Sequence, residues 1–411
     1  MRVVKSSIFA AILVGMSCVR RLDVQCVQNS NCDLSMGGIC STAETGHRWC
    51  SYPDTMCPSG YRYDNDDVGD GVSNACVPPP PDGMVGSNGG SNGDPNEDPP
   101  DTTDDNVPAP LPPSCALLAK SCGPQRSGNC CASPVVSGGS YYRRYDVAGD
   151  GLFQDTSWPA TVSSFRLDKY EVTVGRFRAF IAAGGGIQSN PPMDGAGAQG
   201  QIPGSGWDPA WNGSLAKTSD DLRLQLKCNS SQLTWTDFSG LNEDRPVNCV
   251  NWYEAMAFCV WDGGFLPTEA EWNYAAVGGD EQRAYPWSSP PGSTEIDASR
   301  ASYYDGANCV GDGMPGCAVT DLIEVGTKPY GDGRWGQSDL LGNVAEWLLD
   351  SAGDLILPCT DCAITAATIP FRGFRGGAFD YLASTGRPAN SGVTPADKPS
   401  VINGLRCARP L

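Results

Sequence analysis

Residues 266–276 read "LPTEAEWNYAA", and the punctuation of this stretch sets the character of the chain. Thr268 stands three residues before Glu271. In that pattern a hydroxyl and a carboxylate each take up an orphan amide at a helix start. Gly278 and Gly279 then stop the helix because glycine accepts the backbone that ends one. The device recurs upstream, where Asn251-Trp-Tyr-Glu254 precedes "AMAFCVW". Thr173 caps a third segment, "VGRFRAFIAA", which sets Val174, Phe177, Phe180 and Ile181 on one face at helical spacing. Between these helices run long Gly/Pro/Asp loops with short β-like pieces. With 50 glycines and 33 prolines, turns should outnumber regular elements. The expected class is α+β with little regular secondary structure, and loops of such length need clamps from disulfides or metal ions.

Outward from this core the chain changes character several times. Its 411 residues allow two or three domains. The formal net charge of -19 makes nucleic acid an improbable partner, since phosphate neutralisation needs a basic surface. Residues 1–17 have a basic start and a short apolar run, Ile8 to Gly15, the pattern of an export signal. Cys18 follows small residues and resembles a bacterial lipoprotein cleavage site, although Gly15 stands where that motif prefers leucine. Lipidation at Cys18 and ordinary cleavage nearby both remain open. No other segment is apolar enough to cross a membrane. Export makes the 19 cysteines a disulfide framework, and setting Cys18 aside leaves an even number.

Residues 18–76 carry Cys26, Cys32, Cys40, Cys50, Cys57 and Cys76 with few large aliphatics between them. This is expected to be a small three-disulfide module, loosely like an epidermal-growth-factor-type knot, of undetermined connectivity. Residues 77–113 are dominated by Pro, Gly, Ser, Asn and acids and are expected to be a disordered, extended linker. Residues 114–136 form a Cys-rich lead-in. Cys130 and Cys131 rarely bond to each other as neighbours, so they pair outward, with Cys115 and Cys122 or with the domain body. Residues 137–411 are expected to form one domain.

The residue inventory limits the chemistry. The single histidine is His47, so the large domain has no Ser-His-Asp triad, no Cys-His pair and no His-ligated metal. Carboxylate pairs such as Asp339 with Glu346, or Glu269 with Glu271, also have plain readings as helix-start acids or solvated charges. No phosphate-binding loop of GxxxxGK[ST] type occurs. In "SDLLGNVAEWLLD" (338–350) the side chains of Asp339 and Glu346, with backbone carbonyls between them, suit a hard cation. The alternative is a tight turn with Asn343 left-handed and Glu346 capping it. Further on, "FRGFRGGAFDYLASTGR" (371–387) concentrates glycine, arginine and aromatics but contains no cysteine.

Several segments together resemble the formylglycine-generating enzyme family, whose domain is also called the sulfatase-modifying factor domain. They are "KYEVTVGRFRAFI" (169–181), "RPVNCVNWYEAMAFCVWDGGFLPTEAEWNYAA" (245–276), "AYPW" (284–287), "DLLGNVAEW" (339–347), "FRGGAF" (374–379) and "GLRCARP" (404–410). The resemblance implies a C-type-lectin-like fold. It implies a disulfide between Cys259 and Cys407, and calcium held by Asp339, Leu341, Gly342, Val344 and Glu346, several through backbone oxygen. It also makes Phe374 to Phe379 the floor of the family's active site. Catalytic members carry two cysteines after this floor. These bind copper(I), and oxygen then oxidises a substrate cysteine to formylglycine. In this sequence those positions are Tyr381 and Gly386, and Ala378 replaces a serine. Neither residue offers the soft thiolate that copper(I) requires.

The expectation is therefore a pseudoenzyme without catalytic residues or copper. It would be exported to the bacterial cell envelope or secreted, and touch the membrane only through a lipid anchor. Its domain would serve as a calcium-braced scaffold for a peptide, protein or glycan. The ligand pocket is expected under Arg375, Gly376, Gly377, Ala378 and Phe379, lined by Asp380, Tyr381 and Trp347. The alternative is a formylglycine-generating oxidase with displaced thiols, for which Cys359 and Cys362 are candidates. In an exported chain these read first as a small disulfide loop, as do Cys309 with Cys317 and Cys228 with Cys249.

Overall fold

The computed structural model describes residues 39–42, 48–53, 61–63, 76, 112–116, 121–149, 153–228, 231–366 and 368–411. The export signal, Cys18, the cysteine pairing of the first module and the linker up to residue 111 lie outside the described residues. The chain divides into two compact units, Met1–Asp104 and Asp105–Leu411. In the first, strands β1 (Ile39–Thr42), β2 (Arg48–Pro53) and β3 (Tyr61–Tyr63) form an antiparallel sheet. Its register sets Cys40 directly across from Cys50.

The second unit is built from short elements. Strands β4 (Val135–Val136), β5 (Gly139–Tyr142), β6 (Pro159–Val162) and β7 (Phe165–Leu167) come first. Helices α1 (Val174–Ala182), α2 (Ser219–Gln225), α3 (Trp252–Trp261) and α4 (Glu269–Ala276) follow. The chain ends with β8 (Ala345–Ser351), β9 (Cys359–Thr360), β10 (Phe371–Arg375), β11 (Gly392–Pro395), β12 (Asn403–Gly404) and β13 (Ala408–Arg409). Three sheets result, ordered β11-β10-β8-β12, β13-β7-β4 and β5-β6-β9. Among the described residues no helix is long and apolar enough to cross a membrane.

The caps start the helices. Thr173 accepts the Arg176 amide at the head of α1, and both capping boxes close around Asn251 and Thr268. The main core forms between α1 and α3, where Phe177, Phe180 and Phe258 pack with ring centroids 5.4–5.5 Å apart. Every residue of α4 is buried, as expected of a helix enclosed on all sides. Its apolar face meets the β5, β6 and β7 region through Ala270, Tyr274 and Ala275.

Clamps hold the loops. Cys259 on α3 is bonded to Cys407, 148 residues away. Closing a loop of that size removes about 5 kcal/mol of unfolded-chain entropy. Cys115–Cys131 and Cys122–Cys130 resolve the lead-in by the outward pairing. The lead-in packs into this unit. The Ser114 hydroxyl accepts from Arg176 Nε at 2.9 Å and the Ser114 amide donates to Asp262. Arg176 and Arg409 together bridge the buried carboxylates of Asp168 and Asp262. Two charges of each sign balance there, which makes a buried ionic group tolerable.

Candidate functional site

The segment after β10 forms the floor of a pocket of about 560 Å³. Gly376 and Gly377 have φ of +89° and +68°, a left-handed region that glycine enters without strain. The chain then loops out through Tyr381 and returns at Gly386 against its own floor. A Cβ on Gly377 would lie 2.9 Å from the Gly386 Cα, and a Cβ on Gly386 2.9 Å from the Gly376 carbonyl oxygen. This contact favours glycine at 386 on steric grounds alone, because any side chain there displaces backbone.

Helix α4 braces both walls. Glu269 at its first turn receives Arg375 from the floor, and Arg144 Nε at 3.1 Å. Arg143 Nη1 lies 3.8 Å from its other oxygen. Burial pushes the Glu269 carboxyl up, but the guanidiniums of Arg375, Arg144 and Arg143 outweigh burial and hold it below its ordinary value. Arg375 is fully buried and also donates to the carbonyls of Pro388 and Asn390. Asn273, one turn along α4, donates to Pro388 O at 2.8 Å and accepts the Arg144 amide at 2.9 Å. The far wall presents Ser384, Thr385, Asn390 and Ser391. Arg387 also lines it, 3.6 Å from the Asp146 carboxylate and over the Tyr285 ring. Tyr381 stands half-buried at the edge, its phenol pushed up by burial and by Asp380.

The expected pocket residues divide. Arg375, Gly376, Gly377 and Tyr381 line the cavity. Ala378 and Phe379 are buried beneath it, packed with the Cys309 and Val344 cluster. Two of the expected wall residues are corrected. Trp347 is wholly buried with its indole N–H on the Val250 carbonyl, and Asp380 points to solvent outside the lining. Sequence reasoning missed Asp146 and Arg387, and it weighed Glu269 only as a carboxylate paired with Glu271, whereas its partners are Arg375, Arg144 and Arg143.

The residues of the expected calcium set sit in a turn with hydrogen-bond partners of its own. Both Glu346 oxygens accept from Arg406, at 2.6 Å each, and one also accepts the Trp272 indole N–H at 2.7 Å. Asn343 is left-handed at φ +56°, and its amide reaches Glu171. Asp339 Oδ2 accepts the Gly326 amide at 2.6 Å. Leu341, Gly342 and Val344 complete the turn. A dication here would adjoin the Arg406 guanidinium, and Arg406 would have to release Glu346 for that carboxylate to serve as a ligand. Copper does not fit the pocket. The pocket lining holds neither thiol nor imidazole. Cys359–Cys362, Cys309–Cys317 and Cys228–Cys249 are closed disulfides.

A profile of the Sulfatase-modifying factor enzyme 1-like domain matches residues 119–411. Among curated proteins, the chain is similar to the Formylglycine-generating enzyme of Mus musculus. The two are 28% identical over 222 residues, covering 48% of this chain and 52% of that relative. The chain thus spans about half the length of that protein. It is also similar to the Inactive C-alpha-formylglycine-generating enzyme 2 of Mus musculus, 30% identical over 258 residues, covering 58% of this chain and 75% of the relative. Among solved structures, PvdO from Pseudomonas aeruginosa aligns with a TM-score of 0.44 at 20% identity, covering 67% of this chain and 93% of that one.

Proposed function

The chain belongs to the Sulfatase-modifying factor enzyme 1-like family, and from that premise we propose that its large domain is a non-catalytic binding scaffold for a peptide or glycan. The observation that carries this reading is the pocket wall. Where copper chemistry needs thiolates, the chain has Tyr381 at the pocket edge and Gly386 packed against the Gly376 carbonyl. What remains is a cavity of about 560 Å³ with hydroxyl, amide and guanidinium groups beside aromatic rings. Such a mixture fixes a polar ligand by a few directed hydrogen bonds over apolar contact area. Arg375 is held by Glu269 and Arg387 by Asp146, so the walls are preorganised rather than strongly charged. The family relatives bear the names of both a working and an inactive enzyme, which is compatible with loss of chemistry and retention of the fold.

We place this scaffold, as part of the same proposal, on an exported protein anchored through a lipid on Cys18. Fatty-acid labelling of the wild type and of Cys18→Ala tests the anchor; equal labelling of both removes it.

The pocket is tested with peptide and glycan arrays on wild type and on Ser384→Trp, which fills the cavity from an exposed position. The expected result is a consistent ligand set whose affinity falls at least tenfold in the variant. Failure of the wild type to retain any ligand, or binding indifferent to residue 384, overturns the scaffold. The competing oxidase reading predicts copper(I) binding and conversion of a cysteine peptide, which the scaffold reading expects to be absent.

A further inference from the structure

We infer that the Cys359–Cys362 pair is a thiol–disulfide exchange site that accepts electrons from a dithiol peptide or protein. The pair closes a Cys-Thr-Asp-Cys loop with its Cα atoms 5.3 Å apart. The two sulfurs are not equivalent. Cys359 is buried at 3% exposure, whereas Cys362 is partly exposed. An incoming thiolate therefore meets Cys362. Beside it stands a buried cation, with Arg143 Nη1 3.6 Å from Cys362 Sγ. Arg143 is itself 3% exposed and its Nε has no hydrogen-bond partner. Its other contacts are the Ile356 carbonyl and the longer pairing to Glu269. A guanidinium at that distance favours the thiolate form of Cys362, and stabilising the reduced form makes a disulfide a stronger oxidant.

The loop is also held open to reversible chemistry. The Asp361 amide donates to the Thr161 carbonyl, and the Asp361 carboxylate accepts from the amide and hydroxyl of Ser163. On the other side Ile364 pairs with Ser351 and Asp350. Neither anchor involves sulfur, so both cysteines stay in reach of each other once reduced.

Electrons and atoms balance without a further reagent. One thiolate of the partner attacks Cys362 Sγ, the Cys359–Cys362 bond breaks, and Cys359 leaves as a thiolate that takes a proton. The partner's second thiolate then attacks its own sulfur in the mixed disulfide, releasing Cys362 as the thiolate beside Arg143. The partner is oxidised to a disulfide by two electrons and the pair is reduced by two.

The test equilibrates the full-length oxidised protein in graded reduced and oxidised glutathione. An acid quench, alkylation and peptide mapping follow. The expected result is opening of Cys359–Cys362 at a ratio where the other five bridges among the described residues stay closed. A dithiol peptide should be oxidised one-for-one as the pair is reduced. In the reduced protein Cys362 should alkylate faster than Cys359. Arg143→Met should slow its labelling about tenfold and Arg143→Lys should restore most of the rate. Opening only together with the other bridges, or equal labelling of the two cysteines, overturns the proposal. Both readouts use the wild-type chain and stand even if the Arg143 variants fail to fold.

Discussion

Helices α3 and α4 begin with the same capping box and are buried against neighbouring elements, yet they treat buried charge in opposite ways. On α3 the one carboxylate is Glu254, which accepts the Asn251 amide and Gln225 Nε2 and has no cation beside it. Burial pushes its pKa up to about 8. On α4 the equivalent Glu271 accepts the Thr268 amide and Gln199, and burial raises it too. But α4 carries two more polar side chains, Glu269 and Asn273, and both reach the pocket walls. Glu269 is met by three guanidiniums and stays ionised. The cap glutamates belong to the helix and can take a proton; the extra pair belongs to the site. Polar residues beyond what the cap needs are what distinguish the site-bearing helix from the core helix.

Breaking each helix's main tie sharpens the contrast. The largest effect is expected from α3, whose tie is covalent. Cys259→Ala with Cys407→Ala should cost about 5 kcal/mol by loss of the loop constraint, lowering Tm by about 10 °C or more for a domain of this size. Calorimetry checks it, and a fall under about 3 °C would assign the stability of α3 to packing alone.

For α4 the tie is electrostatic. Glu269→Gln leaves Arg375, Arg144 and Arg143 without their shared carboxylate, and a broken buried pair costs about 3–5 kcal/mol. The Glu269 pKa is depressed on folding, so its contribution is present above the unfolded value, about 4.3. It is lost as pH falls through the folded value. Denaturant titrations of wild type and variant should therefore diverge at pH 7 and converge in acid.

Glu254→Gln should act with the opposite sign. A carboxyl raised in the fold gives its full stability below about pH 4.3 and loses it progressively up to about 8. Glutamine mimics the protonated form and still serves a capping box. The variant should match wild type near pH 4 and exceed it at pH 8 by about 1–2 kcal/mol, a part of the linkage limit. A destabilised variant at pH 8 would mean that Glu254 is ionised in the fold.

How much of this was legible beforehand follows from sequence distance. The caps at Thr173, Asn251 and Thr268 involve residues three apart, so the helices could be read directly. The short disulfide loops and the left-handed Gly376–Gly377 floor are local as well. Trp347 was misassigned to the pocket because β8 is buried at every position. A strand enclosed on both faces has no alternation to show which residue faces where. The pocket walls were invisible for another reason. Glu269 meets Arg375 across 106 residues, and no periodicity reports a pairing of that span.

The smallest effect is expected at the turn where the family likeness implies calcium. Glu171, Asp339 and Glu346 are buried together with one guanidinium, Arg406. The balanced group around Asp168 and Asp262 has two. Burial and mutual repulsion push Glu171 well up and Asp339 to about 6, so protons can absorb the surplus that pairing leaves. Arg406 already spans Glu346, and a calcium ion would have to displace it. EDTA should therefore move Tm by less than about 1 °C, well under one kcal/mol for a domain of this size. A fall of several degrees, reversed by added calcium, would show that Arg406 yields Glu346 to the ion and that the turn holds the family's metal after all.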